Sequence, residues 1–312
     1  GSVTGLFAYM KYAKLPFEKL IQPAIDLAEK GFSISKNQAE DFNHYKEEFI
    51  KLNTTTPVFV KQTNWKEGDT LIQKDLANTL KRIRDYGAKG FYQGKTAKLI
   101  VEEMKNGHGI ISMEDLKNYK AKERAPIAFD YKGNTVVTMP LPSSGGIILE
   151  QMLKMSAYRD LSGMKFESVE AVHLMTEVER RAYADRAKYL GDADFVKVPV
   201  KVLVSDAYLK TRMNDYNPDK AGNSVDMKEG IIGNESTETT HFNVIDKEGN
   251  AVSVTTTLNG GYGSRTVVAG AGFLLNNEMD DFSVKPGVPN MYGAVGAEAN
   301  SIAPNKRMLS SM

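Results

Sequence analysis

Thr239 opens a β-prone run that reaches Ile245, followed by the turn-forming stretch Asp246-Lys247-Glu248-Gly249-Asn250 and a second β-prone run from Ala251 to Leu258. Two such runs around a short polar turn predict a hairpin. With the turn centred near Lys247 or Glu248, facing residues have numbers that sum to about 496 or 497, which sets Thr257 or Leu258 opposite Thr239. On the even sum the partner is Thr257. Directly opposed residues share a face with Cβ atoms about 4.5 to 5.5 Å apart, so one hydroxyl can hydrogen-bond the other. Such a pair could be a nucleophile with a polarising neighbour. Strands are also rich in threonine for packing reasons alone. His241, two residues from Thr239, shares its strand face and invites a threonine-histidine dyad.

Whatever chemistry occurs here works without cysteine, because the chain has none among its 312 residues, which removes thiol catalysis, disulfides and cysteine-ligated metal. His44, His108 and His173 have no partners at ligand spacing, so no metal site and no cofactor is expected. The 40 Lys and Arg residues balance 39 Asp and Glu without clustering, leaving no positive field for nucleic acid or anionic membrane. A small neutral or zwitterionic partner fits better. No apolar run approaches the roughly 18 residues of a membrane span, and the first residues lack the layout of a signal peptide.

The elements that must position these residues change character along the chain. Apolar residues recur at helical spacing from Pro16 to Gly31, from Lys74 to Tyr86 and from Gly94 to Asn106, and Ser112 with Asp115 reads as a capping box. Two β-rich runs between Ile127 and Met139 flank Lys132-Gly133-Asn134 and predict a hairpin. An apolar helical stretch begins at Ile147, and Glu167 to about Leu190 predicts the longest helix. Residues Asn214 to Asn234 are polar and weakly periodic, which predicts an exposed loop open to cleavage. A β-prone run at Thr266 to Val268 and an irregular stretch from Asp280 to Pro304 complete the chain.

The run from Thr239-Thr240-His241-Phe242-Asn243 through Ser253-Val254-Thr255-Thr256-Thr257-Leu258-Asn259 resembles the start of the γ-glutamyltransferase small subunit. The likeness continues through Leu274-Leu275-Asn276-Asn277-Glu278-Met279-Asp280-Asp281-Phe282, Lys285-Pro286-Gly287 and Leu309-Ser310-Ser311-Met312. Upstream, Met139-Pro140-Leu141-Pro142-Ser143-Ser144-Gly145-Gly146 and Tyr183-Ala184-Asp185-Arg186 resemble the large subunit. The resemblance implies an α+β N-terminal-nucleophile hydrolase fold with four layers, αββα, built on two antiparallel sheets. It implies a large-subunit portion at 1–238 and a small-subunit portion at 239–312, interleaved in one domain.

By the same resemblance, cleavage of the Glu238-Thr239 bond frees the α-amine of Thr239, the nucleophile. A threonine hydroxyl needs a base to attack, and a free α-amine with a reference pKa of about 7.7 to 8.0 can be that base where an amide nitrogen cannot. Thr257 then holds the Thr239 hydroxyl. Asn259, Glu278 and Asp281 match residues that grip the α-ammonium of the γ-glutamyl group, and Ser310 with Ser311 matches those that hold its α-carboxylate. Carboxylate and amide oxygens accept from an ammonium and hydroxyls donate to a carboxylate, so the residue types suit the roles. Tyr292 matches a tyrosine at the tip of a lid. The implied partners are a γ-glutamyl donor such as glutathione and an amino-acid or peptide acceptor, and the implied location is periplasmic or secreted.

The family also draws on an upstream arginine in an aromatic-Arg-Glu context and a Gly-Gly oxyanion hole after the serine pair. Neither motif occurs in this sequence, so a fragment truncated at both ends, weak or inactive by itself, is expected. Two other functions compete: a glutaryl-type acylase of the same fold, whose substrate lacks the ammonium that Glu278 and Asp281 would bind, and a non-catalytic relative or unprocessed precursor. Ser143-Ser144-Gly145-Gly146 ahead of a helix reads either as an anion cradle or as a structural turn. Asp192 and Asp194 read as solvated loop charges or a cap, with only a weak calcium signal from two lone carboxylates that lack a full loop motif.

Overall fold

The computed structural model describes residues 1–224, 227, 240–293 and 295–310. Glu238, Thr239 and Ser311 lie outside the described residues. The chain divides into two compact units, one of 1–123 with 256–277 and one of 124–255 with 278–312, so each unit takes chain from both sides of position 239.

The first unit is mainly helical: α1 (Ser2–Tyr9), α2 (Phe17–Lys30), α3 (Lys36–His44), α4 (Lys46–Lys51), α5 (Lys74–Tyr86), α6 (Lys89–Tyr92), α7 (Gly94–Asn106) and α8 (Met113–Asn118). In α2, Ile21, Ile25 and Ala28 fall at successive turns and are buried, and Ile21 and Ile25 form a core with Ile83 of α5. Gly31 ends α2 at φ +86, where a Cβ would come within 2.9 Å of the Leu71 carbonyl oxygen. This lets the chain turn directly into β1 (Phe32–Ser33), which pairs antiparallel with β2 (Thr70–Leu71). Ser35 with Gln38 and Ser112 with Asp115 form reciprocal capping boxes on α3 and α8.

Residues 256–277 are fastened into this unit by polar side chains, two of them, Thr79 and Glu103, buried. Asn53 donates to the Arg265 carbonyl at 2.8 Å and accepts from the Val267 amide at 2.6 Å. The Thr79 hydroxyl donates to the Ala271 carbonyl at 2.7 Å, and Glu103 accepts from the Ala269 amide at 3.1 Å. Val268 and Ala271 then complete a core with Ala97 and Ile100 of α7. The β-prone run at 266–268 returns on itself, with Val267 bridged to Leu274.

The second unit holds β3 (Ile127–Tyr131) and β4 (Asn134–Thr138), α9 (Gly145–Ser156), α10 (Val169–Tyr189), α11 (Val200–Leu203), α12 (Asp206–Arg212), and β5 (Thr240–Ile245) with β6 (Ala251–Thr256), whose last residue passes into the first unit. Lys132 and Gly133 both have positive φ, so β3 and β4 are joined by a two-residue turn with Tyr131 facing Asn134. Ser168 caps α10 through the Ala171 amide. Leu174, Val178 and Ala182 of α10 pack on Ile148 and Met155 of α9 and on Leu209 of α12. A second cluster seats Leu309 among Leu141, Ile147, Leu190 and Leu203.

Among the described residues the strands form three separate two-stranded sheets. Every residue of β5 is exposed, including Phe242, Val244 and Ile245. No helix among the described residues is long and apolar enough to cross a membrane.

Candidate active site

Within the β5–β6 hairpin, the Asp246 amide donates to the Asn250 carbonyl at 3.0 Å, and His241 Nδ1 lies 2.8 Å from the Thr255 hydroxyl. Both pairs belong to the even register. The Asp246 carboxylate closes the turn by accepting from the Glu248 and Asn250 amides.

In the first unit, Thr257, Asn259 and Asn277 form one backbone knot. The Thr257 hydroxyl accepts from the Asn259 amide at 2.9 Å. Asn259 is buried with φ +72, a left-handed conformation that asparagine tolerates better than most residues. Its Nδ2 donates to the Asn277 carbonyl at 3.3 Å, while Asn277 Oδ1 accepts from the Gly260 amide at 2.8 Å. Asn277 is therefore a structural clamp on the turn that carries Asn259.

In the second unit, Glu278 and Asp281 lie on a single 3-10 turn, Glu278–Asp281. Burial pushes the Asp281 carboxyl up to about 6, opposed by the Arg186 charge and assisted by Asp280. Glu278 is raised by burial and then by Asp281. Two half-buried carboxylates that resist ionising together make a site whose electrostatic strain a cation relieves. Asp281 is thus no ordinary exposed loop charge.

Ser310 lies on a segment tied down through three amides and one carbonyl. The Arg307 amide donates to Asp192 at 3.0 Å, the Leu309 amide to Asn300 Oδ1 at 2.9 Å, and the Ser310 amide to the Pro142 carbonyl at 2.9 Å. The Ser310 carbonyl accepts from both the amide and the hydroxyl of Ser144, each at 2.8 Å. Ser143-Ser144-Gly145-Gly146 is consequently a structural turn: its amides at Ser143, Ser144 and Gly145 are committed to Pro140, Ser310 and the Ser143 hydroxyl. Gly146 is required there, because a Cβ would sit 2.0 Å from the Met139 carbonyl oxygen.

Of the two readings of Asp192, the solvated charge is corrected, while its carboxylate does cap the Asp194 amide at 3.2 Å. The Asp192 side chain is fully buried, with Arg124 on one oxygen at 3.3 Å and the Arg307 amide on the other. Charge pairing and amide donors together are what allow a carboxylate at that depth. Asp194 carries the exposed share of the Arg124 pair at 2.9 Å.

Asn300 is the residue that sequence reasoning missed. It is buried, donates through Nδ2 to the Asp281 carbonyl at 2.7 Å, and accepts from the Leu309 amide through Oδ1. One side chain thereby fastens the 278–281 turn to the 307–310 segment. Nothing in its local sequence marks it, since the two segments it joins are 19 and 9 residues away.

Tyr292 lies in a turn whose flanks pair between Pro289 and Val295, with its amide on Asn290 Oδ1 at 3.0 Å. The adjacent Met291 amide donates to Asp280 at 2.9 Å, joining this loop to the acidic turn. Thus Glu278, Asp281, Tyr292 and Ser310 share one unit, and Thr257 and Asn259 share the other.

The whole chain, residues 1–312, matches the family model for gamma-glutamyltranspeptidase. The chain belongs to the gamma-glutamyltranspeptidase family. It is 47% identical to a glutathione hydrolase proenzyme from Pseudomonas aeruginosa over 100% of this chain and 56% of that protein. It is 46% identical to one from Escherichia coli K12, over 100% of this chain and 54% of that protein. The crystal structure of Helicobacter pylori gamma-glutamyltranspeptidase superposes with a TM-score of 0.70 at 42% identity, covering 74% of this chain and 67% of that one. The chain thus spans little more than half the length of these curated relatives. Membership carries the mixed helix and strand architecture of the gamma-glutamyltranspeptidases, in agreement with the elements described above.

Proposed function

We propose that the protein transfers γ-glutamyl groups from glutathione-like donors to water, an amino acid or a short peptide, with Thr239 as nucleophile. The observation that carries this reading is the Asn300 tether. The turn assigned to the substrate ammonium and the segment assigned to its carboxylate are held together by one buried side chain. A γ-glutamyl group presents both charges on a single α-carbon, so its two receptors must be kept at a fixed spacing.

Cleavage of the Glu238-Thr239 bond yields the large portion 1–238 and the small portion 239–312 and frees the Thr239 amine. The even hairpin register supports Thr257 as its partner, because that is the register on which turn arithmetic pairs 239 with 257. The amine accepts the Thr239 hydroxyl proton as Oγ bonds to the donor's γ-carbonyl carbon. The amide C–N bond then breaks, the departing amine takes that proton, and a γ-glutamyl ester remains on Thr239. Water or an acceptor amine gives up a proton to the α-amine and attacks the ester carbonyl, the C–Oγ bond breaks, and Oγ takes that proton back to restore the threonine.

Asn259, Glu278 and Asp281 bind the α-ammonium, and Ser310 and Ser311 bind the α-carboxylate. A bound ammonium offsets the burial and mutual repulsion that raise Glu278 and Asp281. A glutaryl side chain offers no such cation, which disfavours the acylase reading. Tyr292 covers the bound donor as part of a lid, excluding water. The surrounding architecture is the four-layer αββα sandwich, in which further strands would cover the exposed apolar residues of β5. The protein acts in the periplasm or outside the cell.

Turnover of a chromogenic γ-glutamyl anilide by the natural full-length protein tests this reading, alongside the matching glutaryl anilide. Release of the chromophore from the γ-glutamyl compound, lost in Thr239→Ala, is the expected result. Preference for the glutaryl compound, or undiminished turnover in Thr239→Ala, overturns it.

A further inference from the structure

Arg186, near the C-terminal end of α10, is 8% exposed, and the Ser144 side chain it contacts lies on a residue that is fully buried. Its Nε donates to the Ser144 hydroxyl at 3.0 Å, and that hydroxyl in turn donates to the Ser310 carbonyl at 2.8 Å. The order of donors is fixed by chemistry. A guanidinium can only donate, so the hydroxyl accepts from it and turns its own proton toward Ser310. A donor that is itself charged strengthens the bond beyond it.

We infer that Arg186 is a positioning residue for donor binding: through the Ser144 hydroxyl it fixes the main chain of Ser310, and so the hydroxyl that meets the donor's α-carboxylate. The inference rests on the assignment of Ser310 to the α-carboxylate. Arg186 does not act on the substrate itself. Nor is the relay mere packing, since Ser310 also receives the Ser144 amide and gives its own amide to Pro142, leaving its backbone no slack.

Beside this relay, the charge of Arg186 acts on Asp281, as does Asp280 on the same turn, and Asp281 in turn acts on Glu278. Arg186 opposes the effect of burial at Asp281 and favours the ionised form that an ammonium needs. The Arg186–Ser144–Ser310 relay stiffens the carboxylate side, and the charge of the same arginine favours an ionised Asp281.

Three variants of the natural full-length protein separate this from simple support of the fold, with γ-glutamyl anilide as the probe. Ser144→Ala removes the relay and keeps the charge, and should raise KM about three- to tenfold with kcat within about threefold and the acid limb of kcat/KM unmoved. Arg186→Met removes both, and should raise KM about tenfold or more while moving the acid limb upward by about half a pH unit or more. Arg186→Lys keeps the charge without the planar donor, and should hold the limb in place with an intermediate KM. KM within twofold of the parent in Ser144→Ala or in Arg186→Met overturns the inference. A parent protein that fails to turn over the anilide overturns the function reading itself, which is a separate result.

Discussion

The Nδ1 of His241 and the hydroxyl of Thr255 lie 2.8 Å apart across the β5–β6 ladder. Its other ring nitrogen faces Asn243 Oδ1 and the Ser253 hydroxyl, each at 3.3 Å. Both nitrogens are thus engaged within the hairpin, which argues for a ladder residue rather than a catalytic base.

His241→Ala should therefore leave kcat for γ-glutamyl anilide hydrolysis within about threefold and stability within about 0.5 kcal/mol, as for other exposed positions. Steady-state kinetics and a thermal melt check this. A loss of a thousandfold or more in kcat would restore the dyad reading.

Asp281 gives a pH dependence with a definite sign. Its ordinary value of 3.8 is raised to about 6, so the folded free protein favours the protonated acid, and this contribution to stability is lost as pH rises from about 4 through about 6. Ammonium binding needs the ionised form, so Asp281 should add its own rise in kcat/KM over the same interval, below the further rise expected as the Thr239 amine loses its proton at about pH 7.7 to 8.0. Asp281→Asn should abolish that limb and lower kcat/KM by about a hundredfold, on the order of 3 kcal/mol, read from a pH profile of initial rates.

Asn300→Ala should cost about 1 to 3 kcal/mol, because it strips the buried Leu309 amide of its acceptor. The same change releases the Asp281 carbonyl, so KM for the donor should rise more than kcat falls. Chemical denaturation together with saturation kinetics measures both. Loss of stability with an unchanged KM would mean that the tether supports the fold alone.

Asn277→Ala tests the knot that carries Asn259. It leaves the Gly260 amide without its side-chain acceptor and should destabilise by about 1 to 2 kcal/mol while weakening donor binding. Denaturant unfolding and KM are the readouts.

Much of this architecture was legible in the sequence, and the reason is local. Helices at 74–86 and 94–106 were marked by periodicity and by a glycine stop, and the Lys132-Gly133 turn by residues that accept positive φ. Turn length left the hairpin register between two sums, and the Asp246–Asn250 and His241–Thr255 pairs fall on the even one. What stayed hidden depends on contacts distant in sequence. Asp192 reads as a solvated charge until Arg124 and the Arg307 amide, 68 and 115 residues away, enclose it. Ser143-Ser144 reads as an anion cradle or a turn from sequence alone, and it is the Ser310 segment, 166 residues on, that occupies it. Arg186 lies in a run that carries the family resemblance, but neither it nor Asn300 shows a role in local sequence, since what makes them matter is which stretches of chain they join.

The central claim is that Thr239 acts as an N-terminal nucleophile, and denaturing mass spectrometry of the active full-length protein tests it most directly. The account predicts two polypeptides, the second beginning at Thr239 with a free amine. Full γ-glutamyl anilide turnover by a protein whose Glu238-Thr239 bond is intact would contradict it.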